Sequence, residues 1–198
     1  MPSAPVPLTV IVPTFRQKAY VRSAIEGLYA QTYPIDELII SDDASDDGTW
    51  EAIAGTVSAC QARPNTVHRC VVRRNERNLG IARHFQALAQ ASSNTLIVCN
   101  AGDDISEPDR LRCIVEDYLQ AGTPRHYLVH SAVTGIGQDQ ARLMRPPVIT
   151  QSMSLEQMAT ANALHIGGTQ AYSKHLFDDF APIAHDTYED LVLGFRAA

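Results

Sequence analysis

From residue 8 to residue 130 the chain alternates short apolar runs, rich in β-branched residues, with longer stretches of helical periodicity. The runs are Leu8–Val12, Glu37–Ser41, Val67–Arg73, Thr95–Cys99 and His126–His130, each bounded by turn formers and too short for a stable helix. Between them, Val21, Ala24, Ile25 and Leu28 recur at helical spacing within Tyr20–Gln31, and Trp50, Ile53 and Val57 within Thr49–Ala62. Ile81, Phe85 and Leu88 mark a third helix over Ile81–Ala91, and a fourth runs from Pro108 to Gln120 before Gly122. Such alternation with short links predicts an α/β fold, a doubly wound and mostly parallel central sheet flanked by helices on both faces. Pro13 is expected to stop the first strand, and the third run, blurred by His68 and Arg69, is expected near a sheet edge.

In such sheets ligands bind beyond the carboxyl ends of the strands, so the residues that follow each run carry the functional signal. The second run leads into Asp42, Asp43, Ala44, Ser45, Asp46, Asp47 and Gly48, which is too acidic for a core element and rich in turn and capping chemistry. The fourth ends in Gly102, Asp103 and Asp104. Adjacent carboxylates repel one another unless solvated, capped or neutralised by a cation, and their hard oxygens suit magnesium or manganese. The pair therefore has two readings: a polar turn, with Ser106 capping a helix that starts near Pro108, or a cation site.

After residue 131 the pattern loosens, which divides the chain into residues 8–131 and a looser region, 132–198, of the same domain. Gly135, Gly137, Pro146 and Pro147 mark loops or a β-ribbon, and Ser154 is expected to cap a helix over Leu155–Asn162. A short strand, Thr169–Tyr172, follows Gly167 and Gly168, with Ser173 expected to cap a helix through Phe180. The last helix begins about Leu191 and ends after barely two turns, which suggests a chain cut short. His165, His175 and His185 lie in this region without metal-ligand spacing.

The length of 198 residues and an apolar content of 45% fit one domain with a real core. A formal charge of -6 gives no basic field to hold a nucleic-acid backbone. Cys60, Cys70, Cys99 and Cys113 are widely spaced with no Cys-x-x-Cys pair, the pattern of packed, reduced thiols in a cytosolic protein. The amino terminus has no basic leader, and no apolar run approaches the roughly 20 residues of a membrane span. A cytoplasmic protein is expected, able to rest on the membrane through a partner.

Five segments, TVIVPTF (9–15), ELIISDDASDDGT (37–49), NERNLGIARHF (75–85), NAGDDISEPDRL (100–111) and YEDLVLGFRA (188–197), stand in the order and at the spacing found in family-2 glycosyltransferases of the GT-A fold. Over nearly its whole length the chain resembles that family. The resemblance implies an inverting transfer of sugar from a nucleotide diphosphate sugar, most often UDP-linked, to a hydroxyl of a glycan, lipid-linked saccharide or protein. It implies a manganese or magnesium cofactor and a setting in cell-envelope polysaccharide synthesis. By the same resemblance Pro13, Thr14 and Phe15 cradle the base and ribose, Asp43 accepts a hydrogen bond from the base, and Asp42 caps the loop. Phe15 stacks on the base or lies as a core aromatic under the loop. Arg83, in the segment with Asn78 and Gly80, pairs with the diphosphate or stands on a solvated helix face. Asp103 is the metal carboxylate, Asp104 orients it or bonds the ribose, and Asp190 is the general base with Glu189 its neighbour and competitor.

One departure matters. Ala101 stands where the first aspartate of the family's Asp-x-Asp motif is usual, so the metal is expected to bind weakly until diphosphate oxygens complete its shell. Ala101 also keeps open a non-catalytic nucleotide-sugar binding module as the alternative function. A dehydrogenase or nucleotidyltransferase ranks below both, because no Gly-x-Gly-x-x-Gly follows the first strand and no Lys-bearing phosphate loop occurs.

Overall fold

The computed structural model describes residues 5–137, 167–184 and 188–197. Its elements are β1 (Leu8–Thr14), α1 (Val21–Tyr29), β2 (Ile35–Asp42), α2 (Thr49–Gln61), β3 (Val67–Arg74), α3 (Ile81–Ala91), β4 (Leu96–Cys99), α4 (Arg110–Gln120) and β5 (Leu128–His130). A single 3-10 turn then leads into β6 (Gln170–Ser173), α5 (His175–Asp178) and α6 (Glu189–Ala197). The six strands form one sheet in the order β3-β2-β1-β4-β6-β5. β1 to β4 are parallel, and β6 runs antiparallel between β4 and β5.

Alternate side chains on each strand serve opposite faces. Leu8, Val10 and Val12 of β1 join Leu38, Ile40, Leu96, Val98 and Ala171 beneath α1, α2 and α4. Ile11, Ile39, Ile97, Cys99 and Tyr172 point the other way, beneath α3, α5 and α6. Both faces are thus covered, which explains why the central strands are apolar throughout rather than alternating. Each fully buried Leu or Ile contributes about 1.5–3 kcal/mol of transfer free energy. At the amino ends of the strands, away from the ligand edge, the buried Glu37 carboxylate accepts hydrogen bonds from Thr9 Oγ1, Arg69, and the amide and hydroxyl of Ser93.

The doubly wound sheet and the edge position of β3 agree with the sequence reading; several details do not. Pro13 does not stop β1, which continues to Thr14. The β1–β4 ladder has ended by Ile11 and Cys99, so the missing proline N–H falls where only β2 still flanks the strand. Ile81 is 57% exposed because the inward stripe of α3 is Ala82, Phe85, Leu88 and Ala89. Trp50 is half-buried, and Thr49, Ile53, Thr56 and Val57 form the buried face of α2. Ser106 does not cap α4: its hydroxyl donates to Asn100 Oδ1. Ser173 ends β6 and donates to Arg125 O instead of capping a helix. Pro146, Pro147, Ser154, the helix expected over Leu155–Asn162, His165 and His185 lie outside the described residues.

Candidate active site

β1 and β2 end side by side, Thr14 opposite Asp42, and the loops beyond them are laced together. Arg16 N–H donates to Ser45 Oγ at 2.9 Å, Gln17 N–H to Thr49 Oγ1 at 2.9 Å, and Lys18 N–H to Asp47 Oδ2 at 3.2 Å. The Arg16 guanidinium grips both oxygens of Asp46 at 2.8 Å. Arg16 (φ 53°) and Ala44 (φ 60°) are left-handed, which costs an ordinary residue about 1–2 kcal/mol. The four aspartates of this stretch have separate tasks. Asp42 Oδ2 accepts from Ser45 N–H at 3.0 Å, as its capping role requires, and pairs with Arg74 at 3.1 Å. Its Oδ1 is buried with no hydrogen-bond partner. Asp43 accepts from Asn75 Nδ2 at 2.7 Å and from the amides of Leu79 and Gly80 at 2.9 and 3.0 Å. The Leu79 amide is shared between both oxygens, 3.1 Å from Oδ2, so Asp43 anchors the 75–80 loop with two accepted hydrogen bonds on each oxygen. Asp47 binds the amide and hydroxyl of Thr49 at the start of α2.

Phe15 is 42% exposed, with the Arg16 guanidinium 5.2 Å from its ring centroid, so it is not a core aromatic beneath the loop. Pro13 and Thr14 are buried beside it. Arg83 is exposed on the first turn of α3. One residue further, His84 is buried 2.7 Å from Ser41 Oγ. Burial pushes its imidazole pKa down against the pull of the Asp43 charge.

At the end of β4 the loop 101–106 is wound around one buried side chain. Asn100 Nδ2 donates to the carbonyls of Ala101 and Asp104 at 2.9 and 3.0 Å, while its Oδ1 accepts from Ser106 Oγ and Arg110 Nη1. Asp103 and Asp104 project from this loop with exposed edges. Burial of much of the Asp104 carboxyl raises its pKa, the Asp103 charge adds to the rise, and Arg110 opposes it. Two glycines make the room. A Cβ on Gly102 would lie 2.4 Å from Gln17 Oε1 and 2.5 Å from Thr14 Cγ2, and one on Gly168 would lie 2.6 Å from Asp104 Oδ2. The β1 loop, the β4 loop and the start of β6 are therefore in direct contact here.

The third component is the start of α6. Leu193 is fully buried in the cluster that holds Cys99 and Tyr172. Burial pushes the Cys99 thiol up to about 12, with the Glu189 charge adding to the rise after the opposing pull of Arg110. Glu189 is thus within electrostatic reach of the end of β4. Its own pKa is raised, first by burial and then by Asp190. A groove of about 1090 Å³ opens beside the β4 loop, lined by Gly27 of α1, Asp103, Asp104, Cys113 of α4 and Ser131.

Among the described residues no three His, Cys, Asp or Glu side chains gather as a metal set. One or two carboxylates on a loop held open by glycines still suit magnesium or manganese, which take the remainder of their shell from phosphate oxygens and water. Sequence reasoning passed over Asn100, Arg110, Ser131, Gln17 and His84. A signal existed for Arg110: it stands four residues before the buried Ile114 of α4, a charge at the margin of an apolar stripe. Ser131 had none, because its contact with Arg110 exists only in three dimensions.

The model of glycosyl transferase family 2 matches residues 9–180. A Haemophilus influenzae protein described as an uncharacterized glycosyltransferase is 27% identical over 172 residues, 86% of this chain and 54% of that protein. An uncharacterized Mycobacterium tuberculosis protein is 31% identical over 177 residues, 87% of this chain and 49% of its own length. The chain spans about half the length of these relatives. Among solved structures, residues 1–349 of S. aureus TarS superpose with a TM-score of 0.69 at 17% identity, over 97% of this chain and 55% of that one. The Pyrobaculum calidifontis mannosyltransferase PcManGT, in complex with GDP-Man and Mn2+, gives 0.68 at 17% identity, over 96% and 51%. TarS has also been solved in complex with UDP-GlcNAc, with a TM-score of 0.69. These likenesses establish the GT-A fold.

Proposed function

The chain belongs to glycosyl transferase family 2, and from that premise we propose that it is an inverting, metal-dependent glycosyltransferase. Its donor is a nucleotide diphosphate sugar, with UDP the first nucleotide to test, and its acceptor is a hydroxyl of a glycan, lipid-linked saccharide or protein. The observation that carries the reading is the meeting at one sheet edge of the 14–18 and 43–48 loops with the Asp103–Asp104 loop, while α6, which begins at Glu189 and Asp190, packs through Leu193 in the cluster that holds Cys99 at the end of β4. The complexes of similar folds with UDP-GlcNAc and with GDP-Man and Mn2+ support the donor class and the metal. The free cysteines accord with a reducing cytoplasm, where the product would be a cell-envelope saccharide assembled at the membrane's inner face.

In this reading Pro13, Thr14 and Phe15 hold the base and ribose, Asp43 accepts a hydrogen bond from the base, and Arg83 faces the diphosphate. Asp103 binds manganese or magnesium, with Asp104 supporting it. The metal, when bound, supplies positive charge for the departing diphosphate. Asp190, with Glu189 beside it, accepts the acceptor hydroxyl proton as the new C1–O bond forms. The bond from C1 to the phosphate oxygen breaks, its electron pair leaves on the diphosphate, and the sugar configuration inverts.

Nucleotide release from a panel of UDP- and GDP-sugars, with saccharide acceptors and manganese, tests this. Asp190→Asn and Asp103→Ala are each expected to lower the rate by about 10²–10⁴-fold. Full activity in either variant refutes that residue's role. Ala101 favours the second reading, a module that binds nucleotide sugar without turnover. Metal-dependent binding with no transfer to any acceptor would support that module, and any transfer refutes it.

A further inference from the structure

Arg110 is the most heavily committed cation in the described structure, yet none of its hydrogen bonds goes to the carboxylate of Asp103 or Asp104. Its Nη2 donates to Cys99 O at 2.8 Å, its Nη1 to Asn100 Oδ1 at 3.1 Å and Ser106 Oγ at 3.0 Å, and its Nε to Ser131 Oγ at 3.1 Å. These partners are not scattered. Cys99 is the last residue of β4, Asn100 is the post around which residues 101–106 are wound, Ser106 closes that loop, and Ser131 lies on the wall of the groove. Four of the five N–H donors of one guanidinium are spent on the two ends of a single loop and on the segment beside it.

Packing does not require an arginine here. An aliphatic side chain would fill the same space but leave Asn100 Oδ1, Cys99 O and two serine hydroxyls short of a donor. A lysine would bring one point of contact where the site uses three nitrogens. The loop has a particular need for outside support, because Ala101 removes the carboxylate that would give a metal a second hold. Asp103 must then be presented in one position by the loop alone.

We propose that Arg110 is a positioning residue for the Asp103–Asp104 loop, fixing it through Asn100 and Ser106 and tying it to the groove wall through Ser131. The proposal rests on the reading that Asp103 carries the metal. The nucleotide itself lies against the β1 and β2 loops, which Arg110 does not touch. Loss of Arg110 should therefore weaken the metal-dependent part of nucleotide binding and leave the metal-free part alone. The tie to Ser131 adds a second consequence: the groove wall and the metal loop respond together.

The test is calorimetry of UDP and GDP binding to the whole chain, with and without manganese, for the unmodified protein, Arg110→Lys, Arg110→Gln and Ser106→Ala. Arg112→Gln is the control, on the exposed face of the same helix, where its partners are Asp109 and Glu116. The ratio of affinities with and without manganese is expected to fall about 10-fold or more in the Arg110 variants, the usual range for groups that orient a metal ligand. It should fall by less in Ser106→Ala and stay unchanged in Arg112→Gln. Metal-free affinity should hold throughout. If Arg110→Gln fails to fold, Arg110→Lys and Ser106→Ala carry the test, because each removes only part of the network. A manganese effect that survives in every folded variant overturns the proposal alone. Equal affinities with and without manganese in the unmodified protein overturn the metal reading and the proposal with it.

Discussion

Gly102→Ala probes the contact that joins the proposed nucleotide loop to the proposed metal loop. The new Cβ would sit 2.4 Å from Gln17 Oε1 and 2.5 Å from Thr14 Cγ2. The Gln17 amide is the far end of a flexible side chain and can swing aside. Thr14 cannot do so freely: it is buried and β-branched, and its Oγ1 donates to Ser41 O at 3.0 Å. Rotating Thr14 forfeits that bond, about 1 kcal/mol, and shifting the loop instead carries an overpacking cost of about 1–3 kcal/mol. Either way the cost is about 1–3 kcal/mol, or a fall in Tm of roughly 2–12 °C for a chain of this size. Gly55→Ala is the paired control, inside α2 with no atom within 4 Å of the added Cβ, and it should gain up to about 1 kcal/mol. Urea denaturation of both variants, followed by UDP titration with manganese, reads the two effects. If Gly102→Ala is as stable as the parent, or binds UDP and manganese unchanged, the loops do not meet as described.

Other substitutions test separate parts of the account. Ala44→Gly relieves a left-handed alanine (φ 60°) and should raise stability by about 0.5–1 kcal/mol, measured by chemical denaturation; a loss would mean that Ala44 is not strained. His84 is held neutral by burial, so its contribution is complete above the unfolded value near pH 6.5 and is lost as pH falls toward its lower folded value. The stability difference between the parent and His84→Asn should therefore shift against the parent between about pH 7.5 and 5.5, and an unchanged difference would contradict the burial. Glu189 has a raised pKa, so its ionisation opposes folding once pH exceeds the carboxylate range. Glu189→Gln should stabilise the chain at pH 8 but not below about pH 4, and thermal melts at the two pH values decide it.

The strand–helix order was legible because five apolar runs and their intervening periodic stretches are local signals, and a sheet buried on both faces leaves them uninterrupted. The capping work of Asp42 was legible for the same reason, since Ser45 is three residues away. The partners of Asp43 were not, because Asn75, Leu79 and Gly80 reach it only through the β2–β3 pairing. Ser106 shows how a local rule is overridden: it occupies a plausible cap position, but the buried Asn100 offers a better acceptor. Phe15 was left between two readings by the sequence, and its exposure settles that it is not a core aromatic. The glycines at 102 and 168 look like ordinary turn residues in the sequence. Only the approach of Thr14 and Asp104 reveals them as spacers.

The central claim is that the carboxyl edge of this sheet binds a metal and a nucleoside diphosphate together, with Asp103 as the protein ligand. It is tested most directly by a manganese anomalous-difference map from crystals grown with UDP and manganese. The account predicts a peak in coordination with the Asp103 carboxylate, with the diphosphate bridging it to the nucleoside against Phe15 and Asp43. A manganese peak away from Asp103, or a nucleotide seated elsewhere on the molecule, would contradict it.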